Sequence, residues 1–311
     1  MSGDAEQFGL VVMAYGTPRT PEAIADYYTD IRRGRPPSPE QLDDLVRRYE
    51  AIGGTSPLAE RTEAQRAALE RALARRMPGR WTVVLGQKHA PPFVEDAVAD
   101  LADAGITDAV GLVLAPHYSK FSVGEYQRRA AEAGIDRGVT VSGIDHWHLE
   151  PAYLEFLADA TREARVDLPA NHKVLFTAHS LPERVLVDDP YPDELRESAS
   201  AVAARLALPP DGWDLCWQSA GRTPEPWRGP DVLEVVRALG TGGECDAVLV
   251  CAQGFTSDHL EILYDLDVEA RAVARDVGLG FARTRSLNDA EPVMAALADR
   301  VIARITAAGG T

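Results

Sequence analysis

The chain has 311 residues, of which 45% are hydrophobic and 26% are charged, and its formal net charge at pH 7 is −16. This composition is typical of a soluble globular enzyme with one large or two medium hydrophobic cores. The negative charge argues against a nucleic-acid partner or an anionic membrane surface, because both favour proteins with basic patches.

Eight short apolar runs recur along the chain, and each is predicted to form a β-strand. In chain order they cover residues 8–15, 81–88, 109–117, 139–147, 173–179, 214–219, 246–255 and 278–285. Amphipathic stretches fill most of the gaps, and capping boxes at Ser38 with Gln41 and at Thr62 with Gln65 predict two helix starts. Strands that alternate with helices indicate parallel sheets covered on both faces, and therefore an α/β fold.

Eight such units fit either a closed barrel or two open four-stranded sheets. We predict two sheets, because segment 145–151 falls near the middle and the fifth run begins a second set of four. The first runs of the two halves also end alike, with Tyr15 and His179 at matching places. The predicted domains are residues 1–147 and 148–288, followed by a C-terminal helix at 289–311 that packs back on the first domain.

Three acids recur at every fourth residue in segment 255–269, namely Glu261, Asp265 and Glu269. A helix here would align the three carboxylates on one face, where their like charges destabilise it unless a cation binds. A solvated acidic surface is the simpler interpretation of such a row. The apolar run that precedes the segment favours a site instead, because open α/β sheets bind ligands at the carboxyl ends of their strands.

His179 ends the fifth predicted strand. A histidine there can be a hydrogen-bonded structural residue, but its imidazole can also act as a base or bind a borderline metal ion. Together with Glu261 it forms a pair able to move protons or hold a divalent ion. The sequence has no Walker A motif, no G-x-G-x-x-G after the first strand and no zinc-hydrolase motif, which disfavours nucleotide and zinc-hydrolase chemistry.

Arginines are conspicuous in so acidic a chain, and two of their clusters contain Arg32 and Arg48. One interpretation is a solvated surface, and the other is a clamp for ligand carboxylates, which guanidinium groups bind in a bidentate manner. The three cysteines, Cys216, Cys245 and Cys251, show no C-x-x-C spacing, which argues against a cysteine-held cluster. Cys216 and Cys251 lie in apolar runs and are predicted to be buried.

Eight motifs, in order along nearly the whole chain, resemble those of the ferrochelatases and are most similar to the soluble coproporphyrin ferrochelatases of Gram-positive bacteria. They are Met13-Ala-Tyr-Gly-Thr-Pro18, Tyr27-Tyr-Thr-Asp-Ile-Arg-Arg-Gly34, Arg48-Tyr-Glu-Ala-Ile-Gly-Gly-Thr-Ser-Pro57, Ala115-Pro-His-Tyr-Ser119, Ala178-His-Ser-Leu-Pro182, Trp217-Gln-Ser219, Gly229-Pro-Asp231 and Asp258-His-Leu-Glu261. Eight ordered motifs argue strongly against a chance match.

The resemblance implies two Rossmann-like domains, each a four-stranded parallel sheet flanked by helices, with the active site in the cleft between them. It implies a lyase-class metal chelatase of haem biosynthesis that inserts Fe²⁺ into coproporphyrin III without an organic cofactor. His179 and Glu261 match the metal-side pair, and either one can accept the pyrrole protons while the other delivers iron. Tyr15 matches the residue on the opposite porphyrin face. Asp265 and Glu269 resemble acids of an outer metal site, often described for Mg²⁺. The positions that hold propionates are matched by Arg32, Arg48, Tyr49, Ser56 and Tyr126.

Departures from the family pattern at Ala220, Arg222, Gln253 and Thr256 bear on metal and porphyrin preference. They leave open a protoporphyrin IX ferrochelatase, a cobalt or nickel chelatase of another tetrapyrrole pathway, and a non-catalytic porphyrin or haem carrier. The first apolar run is too short for a signal peptide or membrane span, so we expect a cytoplasmic protein without stable membrane insertion. Soluble relatives suggest a monomer.

Overall fold

The computed structural model describes residues 6–308, so the ends of the predicted first domain and C-terminal helix, residues 1–5 and 309–311, lie outside the described residues. Within this range the chain forms two compact units. The first comprises residues 6–46, 55–147 and 288–308, and the second comprises Arg47–Gly54 and His148–Leu287.

Each unit contains one four-stranded sheet, and every strand pair in both sheets is parallel. The strands are β1 (Phe8–Ala14), β2 (Trp81–Gln87), β3 (Asp108–Val113), β4 (Thr140–Ile144), β5 (His172–His179), β6 (Trp213–Gln218), β7 (Ala247–Cys251) and β8 (Gly280–Arg283). The order is β2-β1-β3-β4 in the first sheet and β6-β5-β7-β8 in the second. The two sheets therefore repeat one topology, and β1 and β5 occupy equivalent inner positions.

Helices connect the strands and cover the sheets. They are α1 (Ile24–Ile31), α2 (Pro39–Ala51), α3 (Leu58–Arg76), α4 (Val94–Asp103), α5 (Val123–Ile135), α6 (Pro151–Ala164), α7 (Tyr191–Arg205), α8 (Val232–Gly242), α9 (Leu260–Leu263), α10 (Arg271–Asp276) and α11 (Glu291–Ala308), with 3₁₀ turns at Pro21–Ala23 and Glu183–Val185. The boundary between the units falls within α2. In the first unit α11 packs against α3, where Arg76 bonds the carboxylate of Asp299 at 2.7 Å.

Burial on both faces explains why β1 and β7 are wholly apolar. All seven residues of β1 and all five of β7 are buried. Parallel sheets need such coverage because their crossover helices lie on both faces. The three cysteines are free and buried, as predicted for Cys216 and Cys251. Within residues 6–308, no helix is long and apolar enough to cross a membrane.

The eight predicted strands are all present and the two-sheet arrangement is confirmed, which excludes a closed barrel. Four predicted runs extend two to four residues beyond the strands, since β3, β4, β7 and β8 end at Val113, Ile144, Cys251 and Arg283. After β7 the chain leaves the ladder because a backbone group bonds within the following loop. The Gln253 amide donates to the Cys251 carbonyl at 2.8 Å.

One predicted capping box is confirmed and the other is wrong. The Gln41 amide donates to the Ser38 hydroxyl at 3.3 Å and the Ser38 amide to the Gln41 side chain at 3.0 Å. Thr62 and Gln65 instead lie inside α3, where both are buried. Helix α3 begins earlier because the Ser56 hydroxyl accepts the Leu58 amide at 3.2 Å.

Segment 255–269 is helical only from Leu260, and its second half is not an α-helix. After α9 the chain forms a π-helical segment, Asp265–Ala270, that runs into α10. The Tyr264 carbonyl accepts both the Val268 amide at 3.1 Å and the Glu269 amide at 3.0 Å. Such π-helical turns are rare and occur frequently at functional sites.

Candidate active site

His179 is the last residue of β5, and its imidazole is fixed through one nitrogen. Nδ1 lies 2.5 Å from the Ser180 carbonyl oxygen. A carbonyl oxygen only accepts hydrogen bonds, so Nδ1 carries a hydrogen and Nε2 is the atom that varies in protonation. The backbone is also held, because the Tyr191 hydroxyl donates to the His179 carbonyl at 3.3 Å.

The Glu261 carboxylate lies between two imidazoles. Its Oε1 is 3.5 Å from Nε2 of His179 and its Oε2 is 3.6 Å from Nε2 of His259. The Gln218 side-chain amide donates to the Glu261 carbonyl at 3.0 Å, which ties the start of α9 to the end of β6. Two nitrogen donors and two carboxylate oxygens are thus gathered at the carboxyl end of the second sheet.

Charge pairing sets the protonation of this group. Burial opposes protonation of His179, but the negative charge of Glu261 and the hydrogen bond between them raise the pKa of His179 to about 9. Burial alone would raise the pKa of Glu261, but His179 and His259 hold it well below its usual range. At neutral pH the pair is therefore an imidazolium and a carboxylate, each with about a third of its side chain exposed, at 34% and 33%.

Asp265 begins the π-helical segment, and its two carboxylate oxygens have different partners. The Ser219 hydroxyl donates to Oδ2 at 2.5 Å, and Arg48 Nη1 lies 3.7 Å from Oδ1. Ser219 follows β6 with φ of +59°, a left-handed conformation that is strained for a residue with a Cβ. Burial and the charge of Glu261 raise the pKa of Asp265 to about 7, against the effects of Ser219 and Arg48.

The three acids spaced four residues apart suit a hard cation. Glu261, Asp265 and Glu269 offer carboxylate oxygens, the ligands that Mg²⁺ prefers. Within the described part of the chain these three do not bring ligand atoms within 4.8 Å of one another, so they form no closed cage. Mg²⁺ keeps several waters and needs only one or two carboxylates, and the residues present therefore fit a hydrated site.

Two other acids of the same segment serve a different purpose. Arg283 on β8 bonds both oxygens of Asp267 at 2.8 Å and lies 3.5 Å from Asp258. The Ser286 hydroxyl also donates to Asp258 at 2.8 Å. Arg283 thus fixes the position of the chain on both sides of Glu261 and Asp265.

The first unit holds a second polar group at the ends of β1 and β2. Tyr15, which follows β1, has 44% of its surface exposed. Its ring centroid is 4.7 Å from that of His89, and Nδ1 of His89 is 2.6 Å from the Asp30 carboxylate. Burial lowers the pKa of His89 despite that carboxylate.

Lys88, the first residue after β2, lies beside this group. Its ammonium bonds Glu125 at 2.8 Å and stands 5.4 Å from the ring centre of Tyr126. Burial lowers the pKa of Lys88, and burial raises the pKa of Tyr126 well above its usual range. Tyr126 on α5 is thus a neutral, buried phenol beside the Lys88 ammonium.

The remaining predicted ligand-binding residues differ in accessibility. Arg32 directly follows α1 and is partly exposed, with its guanidinium 5.7 Å from the Tyr28 ring centre. Tyr49 on α2 and Ser56 before α3 are buried.

Of the predicted residues, the second unit brings together His179, Glu261, Asp265 and Arg48. Tyr15, Arg32, Ser56 and Tyr126 belong to the first unit.

Four residues of these groups are not among the predicted site residues, namely His259, Ser219, Lys88 and His89. A signal was available for three of them, because Ser219, Lys88 and His89 follow β6 and β2 at the strand ends where Tyr15 and His179 were sought. Gln253, by contrast, is a structural residue. It is fully buried and bonds the Leu195 carbonyl at 2.9 Å and the Ser198 hydroxyl at 3.0 Å.

Comparisons with known proteins find relatives along nearly the whole chain. A model of the ferrochelatase family matches residues 7–305. The coproporphyrin III ferrochelatase of Bacillus subtilis is 42% identical over 307 residues, which cover 96% of this chain and 98% of the relative. The coproporphyrin III ferrochelatase of Oceanobacillus iheyensis is 44% identical over 286 residues, covering 90% and 91% of the two chains.

Solved structures give the same fold at low sequence identity. SirB from Bacillus subtilis with Fe³⁺ superposes with a TM-score of 0.58 at 12% identity and covers 98% of each chain. DR2241 from Deinococcus radiodurans, described as similar to chelatases, has a TM-score of 0.56 at 14% identity over 97% of this chain and 55% of its own. These likenesses establish the α/β architecture and nothing about substrates.

Proposed function

The chain belongs to the ferrochelatase family, and we propose that it inserts Fe²⁺ into coproporphyrin III with release of two protons, as a lyase-class metal chelatase of haem biosynthesis. The observation that carries the proposal is the His179–Glu261 pair, whose Nε2 and Oε1 atoms are 3.5 Å apart. The substrate assignment rests on relatives of more than 40% identity along nearly the whole chain.

Metallation requires a ligand that draws iron from water and an acceptor for two pyrrole protons, both on one face of the porphyrin. His179 and Glu261 supply one nitrogen and one carboxylate within reach of a single ion. Fe²⁺ accepts imidazole and carboxylate ligands, and both must be deprotonated to bind it. The proton on the imidazole must therefore leave before His179 binds iron or accepts a pyrrole proton.

The other proposed roles follow from chemistry and position. Asp265 and Glu269 form a hydrated outer site for a divalent cation such as Mg²⁺ and lead Fe²⁺ toward Glu261. Tyr15 contacts the opposite porphyrin face. The porphyrin carboxylates are held by Arg32, Arg48, Tyr49, Ser56 and Tyr126. Tyr49, Ser56 and Tyr126 are buried, so their part in binding requires local movement.

The setting of the enzyme is part of the proposal. A water-soluble tetracarboxylate substrate, a net charge of −16 and the lack of a membrane-spanning helix within residues 6–308 support a cytoplasmic enzyme. We infer a monomer that uses Fe²⁺ as a substrate and needs no organic cofactor.

Anaerobic mixing with Fe²⁺ and coproporphyrin III tests the function directly. We expect a Soret shift that requires both enzyme and Fe²⁺, and faster turnover than with protoporphyrin IX. Faster turnover with Co²⁺ or Ni²⁺ indicates a different chelatase. Tight porphyrin binding without a Fe²⁺-dependent change indicates a carrier and contradicts the proposal.

A further inference from the structure

Arg48 and Ser219 each contact one oxygen of the Asp265 carboxylate, and the two contacts differ in length. The Ser219 hydroxyl bonds Oδ2 at 2.5 Å from a fixed left-handed backbone position at the end of β6. The Arg48 contact to Oδ1 is longer, at 3.7 Å, and 26% of the Arg48 side chain is exposed. Arg48 is therefore the partner that can leave.

A guanidinium and a divalent cation compete for the same oxygen. Because Ser219 already bonds Oδ2, Oδ1 of Asp265 is the oxygen with more free lone pairs for a cation, and Arg48 faces that oxygen. The Arg48 guanidinium also lies 5.1 Å from the ring centre of Tyr264, the residue before Asp265. While Arg48 stays there, its positive charge repels a cation and neutralises the acid that would attract one.

We propose that Arg48 is shared between Asp265 and a substrate carboxylate, so that binding of the porphyrin removes Arg48 from Asp265 and opens Oδ1 to a divalent cation. The identity of the second carboxylate rests on the proposed function. Exchange of one carboxylate for another keeps the guanidinium paired, so the movement leaves no buried charge alone. Arg48 then makes the two substrates bind cooperatively, with the porphyrin favouring the cation.

The coupling must be reciprocal. If porphyrin raises the affinity of the outer acids for a cation by some factor, the cation raises the affinity for porphyrin by the same factor. Couplings of this kind typically correspond to about 5- to 150-fold. We expect about tenfold, because Arg48 is partly exposed and water weakens its attraction to Asp265.

The dissociation constant of Mn²⁺ measures the coupling without turnover. It is obtained from the loss of the EPR signal of the free ion as Mn²⁺ binds. The Soret band recorded in the same samples detects any Mn²⁺ that enters the porphyrin. We expect coproporphyrin III to tighten Mn²⁺ binding to the wild-type protein about tenfold. Arg48→Met should bind Mn²⁺ about as tightly without porphyrin as the wild type does with it, and porphyrin should add little. Arg47→Met, an equal charge change at the neighbouring exposed position, should behave as wild type.

The Asp265→Asn variant shows whether Arg48 acts through its contact with Asp265 or only through its overall positive charge. In this background Arg48→Met should no longer tighten Mn²⁺ binding, because the contested oxygen has lost its charge. The proposal is overturned if porphyrin enhances Mn²⁺ binding equally in wild type and Arg48→Met, since the substrate charges alone then explain the effect. It is also overturned if the wild-type protein inserts iron and Arg48→Met has the same Mn²⁺ affinity as that wild type. Failure of the wild type to bind porphyrin or insert Fe²⁺ contradicts the proposed function instead, and the porphyrin-free comparison still tests the Arg48–Asp265 contact.

Discussion

The imidazole of His179 has a partner at each nitrogen. Its Nε2 lies 3.5 Å from Oε1 of Glu261, and its Nδ1 lies 2.5 Å from the carbonyl oxygen of Ser180. A ring held at both nitrogens has one orientation, so a cation or proton that reaches Glu261 also meets Nε2. The two residues therefore act as a unit, and removal of either should disable the site.

His179→Ala should lower the rate of iron insertion by about 10²–10⁴-fold, because it removes a positioned base or ligand. Porphyrin binding should stay within about tenfold of wild type, since the proposed carboxylate contacts lie elsewhere. Single-turnover Soret changes and porphyrin titrations measure the two quantities. His172→Ala, at the opposite end of β5, is the matched control and should turn over normally. Near-normal insertion by His179→Ala would remove the residue from the mechanism.

Glu261→Gln should be nearly as damaging, because it keeps the shape of the side chain and removes the charge between His179 and His259. Asp265→Asn and Glu269→Gln should mainly raise the apparent KM for Fe²⁺, as expected for residues on an approach path. Initial rates over a range of Fe²⁺ concentrations separate the two effects. Equal losses of kcat at saturating Fe²⁺ for all three variants would refute the division into inner and outer acids.

Arg48→Ala should weaken coproporphyrin III binding about tenfold to a hundredfold, and should weaken a porphyrin with fewer carboxylates less. A charge-assisted hydrogen bond contributes roughly 1.5–3 kcal/mol, whereas an exposed ion pair contributes about 0–1 kcal/mol. Dissociation constants for both porphyrins decide the matter, with Arg47→Ala as the control. Equal small losses for the two ligands would make Arg48 a surface residue without a part in substrate choice.

The pH dependence of stability should report the buried charge of Asp265. Its pKa rises from 3.8 to about 7 on folding, so the folded state binds the proton more tightly and loses relative stability as the pH rises through that interval. Asp265→Asn removes this loss, and should gain roughly 1–3 kcal/mol relative to wild type between pH 5 and pH 8.

Urea unfolding at the two pH values measures this difference. Ser219→Ala gives the opposite control, because it removes a hydrogen bond that favours the charged carboxylate. This variant should lose more stability at pH 8 than at pH 5. A pH-independent difference between wild type and Asp265→Asn would show that the carboxylate does not titrate in this range.

Arg283→Met should lower the free energy of unfolding by about 1.5–3 kcal/mol, because it leaves Asp267 without its two charge-assisted hydrogen bonds. Arg271 contacts the same carboxylate at 3.5 Å from a side chain that is 55% exposed, so Arg271→Met should cost less than about 1 kcal/mol. Denaturant titrations of both variants provide the comparison. Equal losses would mean that burial of Arg283 adds nothing to its pairing with Asp267.

The architecture could be predicted from the sequence because parallel strands buried on both faces are continuous apolar runs, and all eight runs formed strands in two sheets. The ends of the strands were less predictable. Residues such as Gln253 leave a ladder where loop hydrogen bonds become available, and no local pattern marks that point. Thr62 and Gln65 matched a capping box by spacing, yet tertiary packing placed both inside α3.

For the site, local sequence determined that a histidine and an acid stand where strands of one sheet end, as His179 and Glu261 do. Only the tertiary structure decided which groups pair with Glu261 and Asp265, because the partners reach them through local backbone geometry or from distant parts of the chain. His259 flanks Glu261 through the turn into α9, and Ser219 reaches Asp265 through a left-handed backbone. Arg48 meets Asp265 because the end of α2 belongs to the second unit. Periodicity along a chain specifies which face a side chain lies on, whereas its charge partners depend on how separate elements pack.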